Sequence, residues 1–177
     1  MNLIGLGNPT AQLNVYIENP PPLEQYQSLA VCRPMQVGEI KMIANLTGNH
    51  WRKIFNVYAK LVFELTTPKY KSWQDFRDNA LLQGHSNESL LFNLTAQEIL
   101  PHLSRINTST DNISIIMGKT FATKLKLAET CHWLSAEFAI NTDKNILICP
   151  YFDYRQLSNI KITKLCRLIK SMRNIQP

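Results

Sequence analysis

The chain has 177 residues, of which 45% are hydrophobic and 18% charged; this excludes a disordered polyelectrolyte and suits one folded domain over 1–177. No apolar run is long enough to span a bilayer and no basic-then-apolar leader opens the sequence, so the expectation is a cytoplasmic protein with no membrane partner. The net charge of +6 gathers at one end: no acidic residue follows Asp153, whereas Arg155, Lys161, Lys164, Arg167, Lys170 and Arg173 do, and such a patch attracts polyanions or simply forms a solvated helix face.

The first stretch with a motif is LIGLGNPT, Leu3 to Thr10. A dinucleotide loop needs G-x-G-x-x-G before a helix, but Thr10 holds the third glycine position and a strand-like run follows. A strand and a turn are expected there instead. LNVYI, Leu13 to Ile17, reads as a buried strand stopped by the three prolines at 20–22. A short helix is predicted over Gly38 to Leu46. Trp51, Ile54, Phe55, Tyr58, Leu61, Val62 and Leu65 then form one wide helical stripe, ended by Pro68.

Ser72, with Asp75 three residues on, starts the next helix, and Gly84 is expected to close it. Ser89 to Leu94 is a second strand. Thr95 and Glu98 form a capping box, and Pro101 limits or bends the helix that follows. Ile113 to Gly118 is a third strand, followed by a helix with Phe121, Leu125, Ala128 and His132 on one side. Glu137 to Asn141 reads as a short extra strand and Asn145 to Pro150 as a fourth main one. The last helix buries Ile162, Leu165, Ile169 and Met172.

Apolar runs without alternation, separated by helices, predict an α/β fold: a three-layer α/β/α sandwich around a mainly parallel four-stranded sheet. Ligands in such folds bind beyond the C-terminal strand ends. The places to look are therefore Glu18-Asn19-Pro20, Asn93-Leu94-Thr95, Gly118-Lys119-Thr120 and Cys149-Pro150-Tyr151. Cys32, Cys131, Cys149 and Cys166 make no C-x-x-C pair, and His50, His85, His102 and His132 lack metal-ligand spacing. Reduced thiols are expected, with no metal and no cofactor.

LIGLGNPT resembles the GLGNPG opening of peptidyl-tRNA hydrolases, but the His-Asn pair and the Gly-rich segment that family needs are missing. Taken together, the four strand ends resemble the motifs of the uracil-DNA glycosylase superfamily in the same order. Asn19-Pro20 stands where that family has G-Q-D-P-Y or G-I-N-P-G; Leu90-Leu91-Phe92-Asn93 matches L-L-L-N. IIMGKTFA fits the glycine-ended third strand, and Cys149-Pro150-Tyr151 takes the place of H-P-S or N-P-S. The resemblance implies a uracil-DNA glycosylase-like domain that binds DNA or a nucleobase, with hydrolysis of an N-glycosidic bond as its possible DNA-repair chemistry.

Base removal needs a flipped base read on its polar edge, a placed water and support for the leaving anion. The resemblance gives Asn93 to the base edge and Asn19 to the water. Glu18, beside Asn19, is the stronger base by residue type. Tyr151 is a stacking candidate, and Lys119, Arg155, Lys161 and Lys164 are phosphate or DNA contacts. Each has a structural alternative: turn residues for Asn19 and Asn93, an exposed first-turn lysine for Lys119. Cys149 departs from the family's His or Asn, which favours a binder over an enzyme. The other reading is a catalytically inactive protein-interaction domain, meeting its partner through Tyr151, Phe152 and Tyr154.

Overall fold

A computed structural model describes residues 3–106 and 111–174. In chain order the elements are β1 (Gly5–Gly7), β2 (Leu13–Tyr16), α1 (Glu24–Gln27), β3 (Cys32–Arg33), α2 (Glu39–Thr47), α3 (Asn49–Thr66) and α4 (Trp73–Asn79). There follow β4 (Glu88–Leu91), α5 (Ala96–Ile106), β5 (Ile113–Met117), α6 (Lys119–Lys124) and a 3-10 turn at Ala128–Thr130. The chain continues through β6 (His132–Trp133), β7 (Ala139–Asn141), β8 (Ile146–Cys149) and α7 (Asn159–Asn174).

The fold is α/β with a mixed sheet of eight strands in the order β3-β1-β4-β2-β5-β8-β7-β6. This corrects the expected four. The four apolar runs do form a parallel centre, β4-β2-β5-β8. Two short strands add to each side: β1, antiparallel to β4, with β3 beyond it, and β7, antiparallel to β8, with β6 beyond it. β3 and β6 are two residues long, too short to carry an apolar pattern.

The central strands are buried on both faces because their side chains alternate between two cores. Val15, Leu90, Ile115 and Leu147 meet Ile54, Phe55 and Leu61 of α3 and Leu165 and Ile169 of α7. Tyr16, Leu91, Ile116 and Ile148 meet Ile99 and Leu103 of α5 and Phe121 and Ala122 of α6. Tyr58 of α3 also ties the layers by donating its hydroxyl to the Ser89 carbonyl at 2.8 Å.

Ser72 caps α4, its Oγ accepting the Asp75 N–H at 3.2 Å. Ser72→Ala is expected to cost about 1 kcal/mol, read from the urea midpoint. The helix ends at Asn79, not Gly84, because the chain turns inward to bury Leu81 and Leu82. α5 runs through Pro101 to Ile106, and the Glu98 carboxylate accepts the Thr95 N–H at 2.9 Å. α6 is only six residues long. Leu125 and Leu127 are both buried, and residues two apart on a helix do not share a face, so the chain leaves the helix and turns at Lys126, φ 57°.

Candidate functional site

The strand order changes direction at β2: β4 lies on one side of it and β5 on the other. The switch point therefore lies between β2 and β5, where open α/β sheets bind ligands. A cleft of about 390 Å³ opens beside the C-terminal ends of β2, β5 and β8, bordered by Glu18, Gly118, Lys119, Glu137, Tyr151 and Gln156. That volume lies in the small-ligand range of roughly 300–1,000 Å³.

Its two carboxylates are ion-paired, and its lysine lies over an aromatic ring. Lys124 donates to Glu18 Oε1 at 2.5 Å. Lys161 donates to Glu137 Oε1 at 2.7 Å and to the Gln156 carbonyl at 3.0 Å. The Lys119 ammonium lies 4.5 Å from the centre of the Trp133 ring. Tyr151 stacks on His50, with ring centres 5.6 Å apart and planes at 28°, and its hydroxyl lies 3.1 Å from His50 Nε2. Burial, aided by the Asp153 and Glu18 carboxylates, pushes the Tyr151 hydroxyl up to about 12. The phenol therefore stays neutral at physiological pH and can both donate and accept a hydrogen bond.

The cleft brings together three of the residues singled out from the sequence: Glu18, Lys119 and Tyr151. Lys161 reaches its rim through Glu137. Asn19 is exposed and outside the lining. Asn93 is also exposed, in the left-handed region with φ 60°, the turn role open to this residue type. Its backbone N–H points to the Glu18 carbonyl at 3.4 Å, so the loops after β2 and β4 touch while its side chain is not part of the lining. Arg155 lies over Tyr154, its guanidinium carbon 5.9 Å from the ring centre, and Lys164 over Phe138 at 4.7 Å.

Cys149 is wholly buried in the core, where desolvation holds its thiol far above the usual range and neutral. Phe152 corrects the expected partner surface: it is fully buried, edge-on to Tyr58 with centres 5.6 Å apart. Of the three aromatics, only Tyr154, 53% exposed, and the half-buried Tyr151 reach the surface. Trp51 is in the core, whereas Trp133 is half-buried, packed on the second core beside the cleft. The four cysteines are free thiols, and among the described residues no three His, Cys, Asp or Glu side chains gather to hold a metal. No described helix is long and apolar enough to cross a membrane.

Residues 4–170 match a family of unknown function, DUF6942. The chain belongs to this family. No curated protein and no solved structure matches it. Sequence reasoning missed several residues in and around the cleft of this DUF6942 chain. His50 opens α3 and meets Tyr151 across 101 positions. Glu137 and Gln156 come from the β6–β7 hairpin and the loop before α7. Lys53 fixes that loop by donating to Asp153 at 2.9 Å. None of these carries a local motif; only the long-range fold brings them together.

Proposed function

We propose that this chain is a divergent uracil-DNA glycosylase-like domain that binds DNA, holding a nucleobase in the strand-end cleft without cleaving it. The observation that carries this reading is the cleft at the direction change of the parallel strands, with Glu18, Lys119 and Tyr151 on its border. The four motif segments of the resemblance also leave the same end of four adjacent parallel strands. Tyr151 offers an aromatic face and a neutral hydroxyl, and Lys119 a cation for a phosphate. The basic α7 begins beyond the cleft and adds polyanion attraction.

Binding rather than hydrolysis is favoured by the positions of the chemical groups. Asn93 and Asn19 lie outside the lining, Glu18 is ion-paired with Lys124, and Cys149 is sequestered in the core. No side chain on the lining replaces the Asn or His that the resemblance requires.

The test is a titration of labelled single- and double-stranded oligonucleotides, with and without uracil, at low and moderate salt. Salt-sensitive binding is expected, weakened about tenfold by Tyr151→Ala or Lys119→Ala, with no alkali-labile sites formed. Abasic sites that vanish in Asn93→Ala would make the protein an active glycosylase. Absence of binding at low salt would overturn the nucleic-acid reading in favour of a protein-interaction domain.

A further inference from the structure

A second recess, sharing no residue with the strand-end cleft, lies on the helical side of the molecule. Two adjoining hollows of about 140 and 380 Å³ meet along Ile40, Lys41, Arg77 and Asp78. The larger also reaches Asn45, Arg52 and Asn56. Its cations come from three different helices: Lys41 from α2, Arg52 from α3 and Arg77 from α4. Its one carboxylate is already engaged, since Asp78 accepts from Arg77 Nε at 2.7 Å and from Nη2 at 3.0 Å.

Arg77 is held in place before any ligand arrives. Its side chain is 22% exposed, Asn56 Oδ1 accepts from Nη1 at 2.6 Å, and the guanidinium lies 5.7 Å from the Trp73 ring centre. Because Asn56 uses its carbonyl oxygen for Arg77, its amide N–H groups remain as donors. Asn49 accepts from Arg52 at 3.1 Å and so orients a second guanidinium. Among the described residues, neither Lys41 nor Arg52 has an ion pair. Three like charges drawn from separate helices into one groove repel one another, and an anion seated between them relieves that repulsion.

We infer that this groove binds a multiply charged phosphate. Three cations against one carboxylate leave a charge of +2, which suits a dianion or polyanion better than a single carboxylate. Guanidinium groups with fixed orientation match phosphate oxygens in pairs. The phosphate comes either from a free phosphate ester or from a nucleic-acid backbone. The inference stands independently of the strand-end cleft, because the two sites have no residue in common.

The experiment is a titration of the full chain with tripolyphosphate at low salt, followed by backbone amide NMR. Shifts are expected at 38–45, 52–56 and 77–79. The double variant Lys41→Ala/Arg52→Ala is expected to weaken binding about tenfold or more. Lys69→Ala/Lys71→Ala, which removes the same net charge from exposed positions elsewhere, is expected to leave it unchanged. An unchanged circular dichroism spectrum shows that each variant is folded. A single-stranded oligonucleotide that displaces tripolyphosphate from these amides assigns the groove to a backbone; one that does not assigns it to free phosphate esters. Wild-type affinity in the groove variant, or shifts that spare these three segments, would overturn the inference.

Discussion

Glu88→Gln is expected to stabilise the fold at pH 8 by about 3 kcal/mol and to leave it nearly unchanged at pH 4. Glu88 opens β4, is 6% exposed, and has an Oε2 with no hydrogen-bond partner. Burial pushes its carboxyl up from 4.5 to about 7, against opposing hydrogen bonds from Ser86 and the Asn87 backbone. Between those values the folded protein keeps a proton that the unfolded chain has released. The stability present below pH 4.5 is therefore lost as pH rises to 7.

His102 acts in the opposite sense. It is 4% exposed, faces the Tyr16 hydroxyl at 2.6 Å, and has an Nδ1 with no partner. Burial, and secondarily the Arg105 charge, pulls its imidazole down from 6.5 to about 4. Below pH 6.5 the unfolded chain takes up a proton that the folded one refuses, so the stability present above 6.5 falls away as pH drops through 4. The two windows overlap with opposite slopes, and the wild-type protein is expected to show a nearly flat stability between pH 4.5 and 6.5. Glu88→Gln should expose the rise with pH caused by His102, and His102→Gln the fall caused by Glu88. Urea midpoints from pH 4 to 8 check this; identical profiles for all three proteins would refute it.

The parallel centre of the sheet was legible because its strands are continuous apolar runs ended by Pro, Gly or Asn. α3 was legible from seven apolar positions on one face, and the start of α4 from Ser72 and Asp75. Of the outer strands, β1 and β7 were legible as a strand before a turn and a short extra strand, but β3 and β6 were not: they form where β1 and β7 offer them edges to pair with. The same divide runs through the site. Glu18, Lys119 and Tyr151 follow from the rule that strand ends bind ligands. His50 and Glu137 arrive from a helix start and a hairpin, and no spacing in the sequence links them to Tyr151. Residue type alone left two roles open where backbone direction decides. Asn93 serves the turn after β4, and Phe152, next to the surface residue Tyr151, turns inward.

The largest loss of stability is expected from Gly7→Ala, about 3 kcal/mol or more. The reason lies in LIGLGNPT, the stretch that mimics a phosphate loop. β1 lies against β4 so closely that a Cβ on Gly5 would stand 2.4 Å from the Leu90 carbonyl oxygen, and one on Gly7 2.4 Å from that of Glu88. Both obstacles are backbone and cannot move aside as a side chain would. Gly7 also has φ 111°, a conformation that L-residues rarely adopt. The turn beyond it is held by Asn8, whose amide donates to the Ser86 carbonyl at 2.8 Å and whose Oδ1 accepts the Thr10 N–H at 2.9 Å. The glycines thus serve strand contact, not a phosphate. Gly38→Ala separates strain from collision: its φ is 85° but nothing lies within 4 Å of an added Cβ, so only the left-handed cost of about 1–2 kcal/mol is expected. Urea unfolding of both variants, with amide exchange at 88–91, measures the difference. If Gly7→Ala proves no less stable than Gly38→Ala, the close approach of β1 to β4 is not what requires the glycine.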